Sequence, residues 1–296
     1  MRHTLALLVV IATRTLDAQP PRPIPFDEVA KLPAPPADHR LSYGDDPLQF
    51  GELRLPKATG GTHPVVVLVH GGCWQSAYDI AHTRPMAAAL TEAGFAVWSL
   101  EYRRIGNAGG GWPGTFADVA RGTDFLRTIA DRFALDLSRV VAVGHSAGGQ
   151  LVLWLGTRAT LPEASTLYVR DPLPLRGIGA LAPIADMARY GAAPGGCNSA
   201  VHQLMGGTPE QWPERYAAVS PIERVPLRVP TRLVHGTADR TVLLEQSTLF
   251  QAAATRAGSP TIVTVPLEGA AHFDVIAPTS PHWPRIVSEL RALIAP

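Results

Sequence analysis

Cysteine is scarce in this chain: Cys73 and Cys197 are the only two among 296 residues. Two cysteines are too few for a disulfide scaffold or a CxxC metal site, and no metal is expected. Whether they pair depends on the compartment. An exported protein can join them, whereas in a reducing compartment they are two separate buried thiols. An excess of one charge is missing as well. The 26 basic and 25 acidic residues nearly cancel, and no run of Lys and Arg is present to neutralise a phosphate backbone or an anionic lipid surface. Nucleic acid is therefore not an expected partner. No uninterrupted apolar stretch approaches the roughly 20 residues that a bilayer span requires, which excludes stable membrane insertion. No internal repeat is apparent, and the oligomeric state is left open.

What is present is enough apolar material for one large core: 46% of the residues are hydrophobic and 17% charged. The N-terminus runs from Met1-Arg2-His3 through apolar Leu5 to Ala12 and reaches a small residue at Ala18. A basic start, a short greasy middle and a small residue near a cleavage point are the layout of a secretory signal over residues 1–18. The expected location is therefore periplasmic or secreted, with a cytoplasmic protein as the alternative. Residues 19–41 form a Pro-rich arm, in which Pro20, Pro21, Pro23, Pro25, Pro33, Pro35 and Pro36 oppose helix and favour extended backbone.

From residue 42 to 296 the chain reads as a single domain. Spaced apolar residues from Leu48 to Leu55 suit a half-exposed antiparallel strand. Beyond Pro64, continuous β-branched runs alternate with helical stretches. Strands are predicted at 65–69, 95–100, 140–143, 178–182, 231–235 and 261–265, and helices at 86–93, 116–133, 147–155, 244–257 and 285–294. Strands apolar on both faces and separated by crossover helices imply a mostly parallel central sheet with helices on both faces, an α/β fold. A Gly- and Pro-rich segment from about 183 to 230 lacks this rhythm and reads as a short cap insertion between two core strands.

Gly144-His145-Ser146-Ala147-Gly148 fits GxSxG, in which a sharp strand-to-helix turn lifts a serine hydroxyl above the sheet. Its place, directly after one predicted strand and before a predicted helix, gives the weak pattern its meaning. A serine hydroxyl needs a base to take its proton and a carboxylate to orient that base, in the chain order serine, acid, histidine. His272, after a late strand and before the last helix, is the candidate base, with His282 as its competitor. Asp239, on the loop after the strand 231–235, is the candidate acid, with Asp186 as runner-up. Asp274 reads as solvated or as a cap. His70-Gly71-Gly72-Cys73-Trp74 follows the strand 65–69, where small residues let backbone N–H groups turn toward a developing oxyanion. The candidate donors are Gly71, Gly72, Cys73 and, next to the serine, Ala147. Trp74, Trp112 and Trp212 are candidates for an aromatic substrate pocket, against the commoner role of tryptophan as core.

Taken together, HGGCW (70–74), EYRR (101–104), GGGWPGTFADV (109–119), GHSAGG (144–149), HGTADRTV (235–242) and GAAHFDVI (269–276) resemble the bacterial carboxylesterase and kynurenine-formamidase-like branch of the α/β-hydrolases, often described as prolyl-oligopeptidase-like. The resemblance runs from about Tyr43 onward and implies the α/β-hydrolase fold and a Ser146–Asp239–His272 triad. It also implies hydrolysis of a small-molecule carboxylic ester through an acyl-enzyme, without a cofactor. The HGGxW form is shared by carboxylesterases and arylformamidases, so a formamide substrate is the alternative. A peptidase, or a non-catalytic binder on the same fold, fits less well. The EYRR run reads as a structural ion-pair cluster. A further expectation is that a Cys73–Cys197 bridge, if formed, pins the insertion against the 70–74 loop.

Overall fold

The computed structural model describes residues 22–57, 60–259 and 261–295. The signal read at 1–18 and the start of the Pro-rich arm lie outside the described residues. Among the described residues eight strands form one sheet: β1 (His39–Ser42), β2 (Phe50–Arg54), β3 (His63–Val69), β4 (Ala96–Leu100), β5 (Leu135–His145), β6 (Gly177–Leu181), β7 (Thr231–Gly236) and β8 (Ile262–Leu267). Their order across the sheet is β1-β2-β4-β3-β5-β6-β7-β8. The pairs β1–β2 and β2–β4 are antiparallel, and every pairing from β4 to β8 is parallel.

The helices are α1 (Phe26–Ala30), α2 (Arg84–Glu92), α3 (Gly114–Asp124), α4 (Leu126–Ile129), α5 (Ala147–Leu155), α6 (Met187–Ala192), α7 (Gly196–Met205), α8 (Pro213–Val219), α9 (Glu245–Arg256) and α10 (Trp283–Ile294). Side chains alternate across each strand, so the continuous apolar run of β3 feeds two cores at once. Val65, Val67 and Val69 join one apolar cluster with Trp98, Phe116 and Trp154. Val66 and Leu68 join a second on the other face with Met86, Leu90 and Leu290.

Two readings differ from the sequence. All five residues of β2 are buried rather than half-exposed. Gly51 lies so close to the Trp98 ring that a Cβ there would collide with it, and the Arg54 guanidinium donates to the carbonyls of Pro35 and Pro36 at 2.7 and 3.1 Å. The helix predicted over 116–133 is broken into α3, α4 and a 3₁₀ turn at Asp131–Phe133 that ends on left-handed Ala134. The segment between β6 and β7, read from the sequence as a cap insertion, carries α6, α7 and α8, each short because Gly and Pro punctuate it. The loops that follow β3, β5, β7 and β8 all leave the carboxyl ends of parallel strands, the rim where such sheets place ligands.

Candidate active site

Ser146 stands between the last residue of β5 and the first of α5, with φ 56° and ψ −118°. A non-glycine residue at positive φ is strained, and the surroundings must hold it there. Here the Ser146 N–H donates to the Leu181 carbonyl at 2.9 Å, and the Ser146 carbonyl accepts from Gln150 N–H at 3.1 Å. The flanking glycines are sterically required. A Cβ on Gly144 would strike the Gly148 carbonyl, and one on Gly148 would strike the Val69 carbonyl. Strand, turn and helix are thus pressed together until only GxSxG fits.

The loop after β8 brings His272 to the same rim, and the loop after β7 brings Asp239. His272 Nδ1 and Asp239 Oδ2 are 2.7 Å apart and both residues are buried. Asp239 Oδ1 accepts N–H from Thr241 and Val242. Burial pushes the Asp239 carboxyl up, but hydrogen bonds with His235 and His272 and the charge of His272 outweigh it, so the group sits well below the usual carboxylate range. His235 is fixed in turn between Ser247 Oγ at 2.8 Å on Nδ1 and the Val242 carbonyl at 2.7 Å on Nε2. With Nδ1 of His272 engaged by the carboxylate, Nε2 is the nitrogen left for a proton arriving from Ser146.

His145, the residue before the serine, clamps this loop from below. Its Nε2–H donates to the His272 carbonyl at 2.8 Å, and its ring lies 4.5 Å from that of His272. Burial, reinforced by neighbouring His272, pushes the His145 pKa well below the usual value, so the ring stays neutral.

The 70–74 loop passes directly over the elbow. A Cβ on Gly71 would lie 2.7 Å from the His145 carbonyl oxygen and 3.2 Å from Ser146 Cβ. Gly72, Cys73 and Trp74 follow with φ of 100°, 54° and 55°, a left-handed run that turns the chain sharply beside the serine. Ala147 opens α5, so its N–H is among those that no helical carbonyl can reach. Cys73 is joined to Cys197 at the start of α7, with Cα atoms 5.2 Å apart. The bridge therefore ties the segment between β6 and β7 to the loop over Ser146. Behind the loop lies the EYRR cluster. Glu101 accepts from His70, Arg104 and the N–H groups of Ile80 and Tyr102, while Tyr102 Oη donates to the His70 carbonyl at 2.8 Å. Its role here is to hold backbone.

A cavity of about 210 Å³ opens at this point, lined by Gly72, Cys73, His145, Ser146, Thr241 and His272, with Phe26, Tyr78, His82 and Phe273 around them. The three tryptophans proposed for the pocket do not line it. Trp74 is fully buried, because its left-handed backbone swings the indole into the core, where Nε1 donates to Gln150 at 3.2 Å. Trp112 lines a separate depression with Leu161, Ala217, Ala218 and Arg224. Trp212 is 38% exposed, its ring covered by the Arg215 guanidinium at 3.7 Å. Asp186 caps α6 by accepting from Arg189 N–H, and His282 precedes α10, so neither rival joins the site. Asp274 is buried rather than solvated, accepting N–H from Ala271 at 3.0 Å and Ile24 at 3.3 Å. Thr241 and Phe273 were findable as neighbours of Asp239 and His272, and Tyr78 and His82 follow the 70–74 loop closely. Phe26, on the arm, carried no such signal. Among the described residues no group of three or more His, Cys, Asp or Glu side chains is placed to hold a metal ion, and no helix is long and apolar enough to cross a membrane.

The BD-FAE family model matches residues 52–254. Esterase LipC of Mycobacterium tuberculosis is 27% identical over 255 residues, which cover 80% of this chain and 60% of LipC, so the chain spans less than two thirds of that relative. Among solved structures, inhibited esterase B from Lactobacillus rhamnosis superposes with a TM-score of 0.75 at 22% identity, covering 90% of this chain and 91% of that one. A truncated carbohydrate esterase from gut microbiota superposes with a TM-score of 0.74 at 21% identity, over 87% and 98% of the two chains.

Proposed function

The chain belongs to the BD-FAE family and has the α/β-hydrolase fold, and on that premise we propose that it is a serine hydrolase of carboxylic esters acting through an acyl-enzyme. Ser146 is the nucleophile, His272 the general base and Asp239 the acid that orients it. The observation that carries this reading is the shared cavity: a strained serine and a histidine pinned at Nδ1 by a buried carboxylate face the same small space.

In the proposed cycle His272 Nε2 takes the Ser146 proton as Oγ attacks the ester carbonyl. Negative charge develops on the carbonyl oxygen, and the backbone N–H groups of Ala147 and Gly72, with Gly71 and Cys73 forming the same turn, stabilise it. Each such donor contributes about 3 kcal/mol to the transition state. The imidazolium returns its proton to the departing alkoxide, and water then repeats the sequence to release the acid. The esterase names of LipC and of the structural neighbours support the ester over other acyl substrates. Export is part of the same proposal: a bridged Cys73–Cys197 pair fits an oxidising compartment, as does the signal-like N-terminus.

A substrate panel on purified protein tests the reading. Short p-nitrophenyl esters are expected to turn over faster than N-formylkynurenine or proline-containing peptides, and Ser146→Ala is expected to abolish that turnover. Preferential cleavage of the formamide would move the substrate class, and undiminished turnover by Ser146→Ala would remove the nucleophile.

A further inference from the structure

The cavity beside Ser146 is walled on one side by a residue from the far N-terminal arm. Phe26 opens the five-residue helix α1, and the matched family region begins only at residue 52, so this wall comes from outside the part of the chain that carries the family likeness. The arm is held in place by the neighbours of Phe26. Ile24 N–H donates to Asp274 Oδ2, which also holds the His272 loop through Ala271 N–H. Val29 is fully buried in the apolar cluster that contains Met86 and Leu90.

Phe26 itself is only half-buried, and its ring faces the site. It meets Tyr78 edge-on with centroids 5.4 Å apart, and Phe273 at the same separation with the rings tilted by 57°. Tyr78 packs so tightly on Gly72 that a Cβ there would collide with it, and Phe273 follows His272. The ring therefore spans the gap between the loop proposed to hold the oxyanion and the loop that carries the histidine. Among the described residues that line this cavity of about 210 Å³, Phe26 is the one that belongs to the arm. Anchoring is done by Ile24 and Val29, which leaves the Phe26 ring free to act as a wall.

We infer that Phe26 is a specificity-determining residue that limits the size of the ester group admitted beside Ser146. The inference rests on the ester-hydrolase reading, and it makes the Pro-rich arm part of the site. In a snug apolar pocket each added methylene that does not fit costs roughly tenfold or more in kcat/KM, so removing the wall should move the cut-off and not the chemistry.

The test uses the full chain and two ester series, one lengthening the acyl group and one enlarging the alcohol. Phe26→Ala is expected to raise the kcat/KM ratio of the largest to the smallest ester roughly tenfold or more in one series. Phe26→Trp is expected to lower it, and Phe26→Leu, which keeps the apolar packing, should fall between wild type and Ala. Unchanged ratios in all three variants, or an equal loss on every ester, would overturn the inference by leaving Phe26 a purely structural role. A second arm compares labelling of Ser146 by short- and long-chain alkyl fluorophosphonates. It reads the size of the cavity without any ester turnover, so failure of the ester reading and failure of the wall are told apart. The long-to-short labelling ratio is expected to rise in Phe26→Ala, and an unchanged ratio overturns the inference.

Discussion

Asp239 holds His272 with one carboxylate oxygen, 2.7 Å from Nδ1, while its other oxygen is held by the N–H groups of Thr241 and Val242. The carboxylate therefore cannot turn away, and Nδ1 must carry the proton. Asp239→Asn keeps the shape but can present an N–H to Nδ1, which favours the tautomer that cannot accept the serine proton. Steady-state kinetics on a short ester are expected to show kcat reduced by about 10⁴-fold with KM little changed. A loss of less than about tenfold would mean that Asp239 does not set the tautomer.

Stability should depend on acid in two ways with the same sign. The Asp239 carboxyl lies below its ordinary range in the folded protein, so the stability it contributes is complete above its unfolded pKa near about 4 and is lost as pH falls further. His82 is pushed down to about 4 by burial, assisted by His70, and His145 is lowered by burial and His272. Each is neutral when folded, while the unfolded chain binds a proton below about pH 6.5, so stability drops as pH falls through that value. For His82 the drop ends near its folded value of about 4. Thermal unfolding from pH 7.5 to 4.5 is expected to show a falling midpoint, and a His82→Gln, His145→Gln double variant should show a flatter profile. Equal slopes would place the titration elsewhere.

The Cys73–Cys197 bridge joins residues 124 apart in sequence, and Cys73 lines the cavity beside Ser146. Removing it should act on stability and on rate together. Cys197→Ser is expected to cost about 2–5 kcal/mol in denaturant unfolding, since long closed loops constrain the unfolded chain most. It should also lower kcat, because the 70–74 turn loses its tether to α7. Lower stability with full kcat would show that the bridge serves the fold alone.

Much of this was legible in the sequence, for identifiable reasons. Val65 to Val69 reads as a doubly buried strand because every residue is apolar, and it feeds both cores. Ser146, Asp239 and His272 were each flagged by a local motif at the end of a strand, and chain order alone arranged them. Other features have no local signature. Trp74 sits beside the proposed oxyanion turn in sequence, yet a positive φ sends its indole to Gln150 and away from the cavity. The helices α6 to α8 are too short, and too interrupted by Gly and Pro, for a 3.6-residue period to emerge. Phe26 lies among prolines in a segment without periodicity, and its partners Tyr78 and Phe273 are long-range contacts that only the folded chain brings together.

An activated nucleophile at Ser146 is the premise of the proposed cycle. Its most direct test is intact-protein and peptide mass spectrometry after exposure to a small fluorophosphonate. One covalent adduct is expected on the peptide containing Ser146 in the wild-type protein, slowed strongly by Asp239→Asn and absent in Ser146→Ala. An adduct that persists in Ser146→Ala at the wild-type rate, or a wild-type protein that forms none, would contradict it.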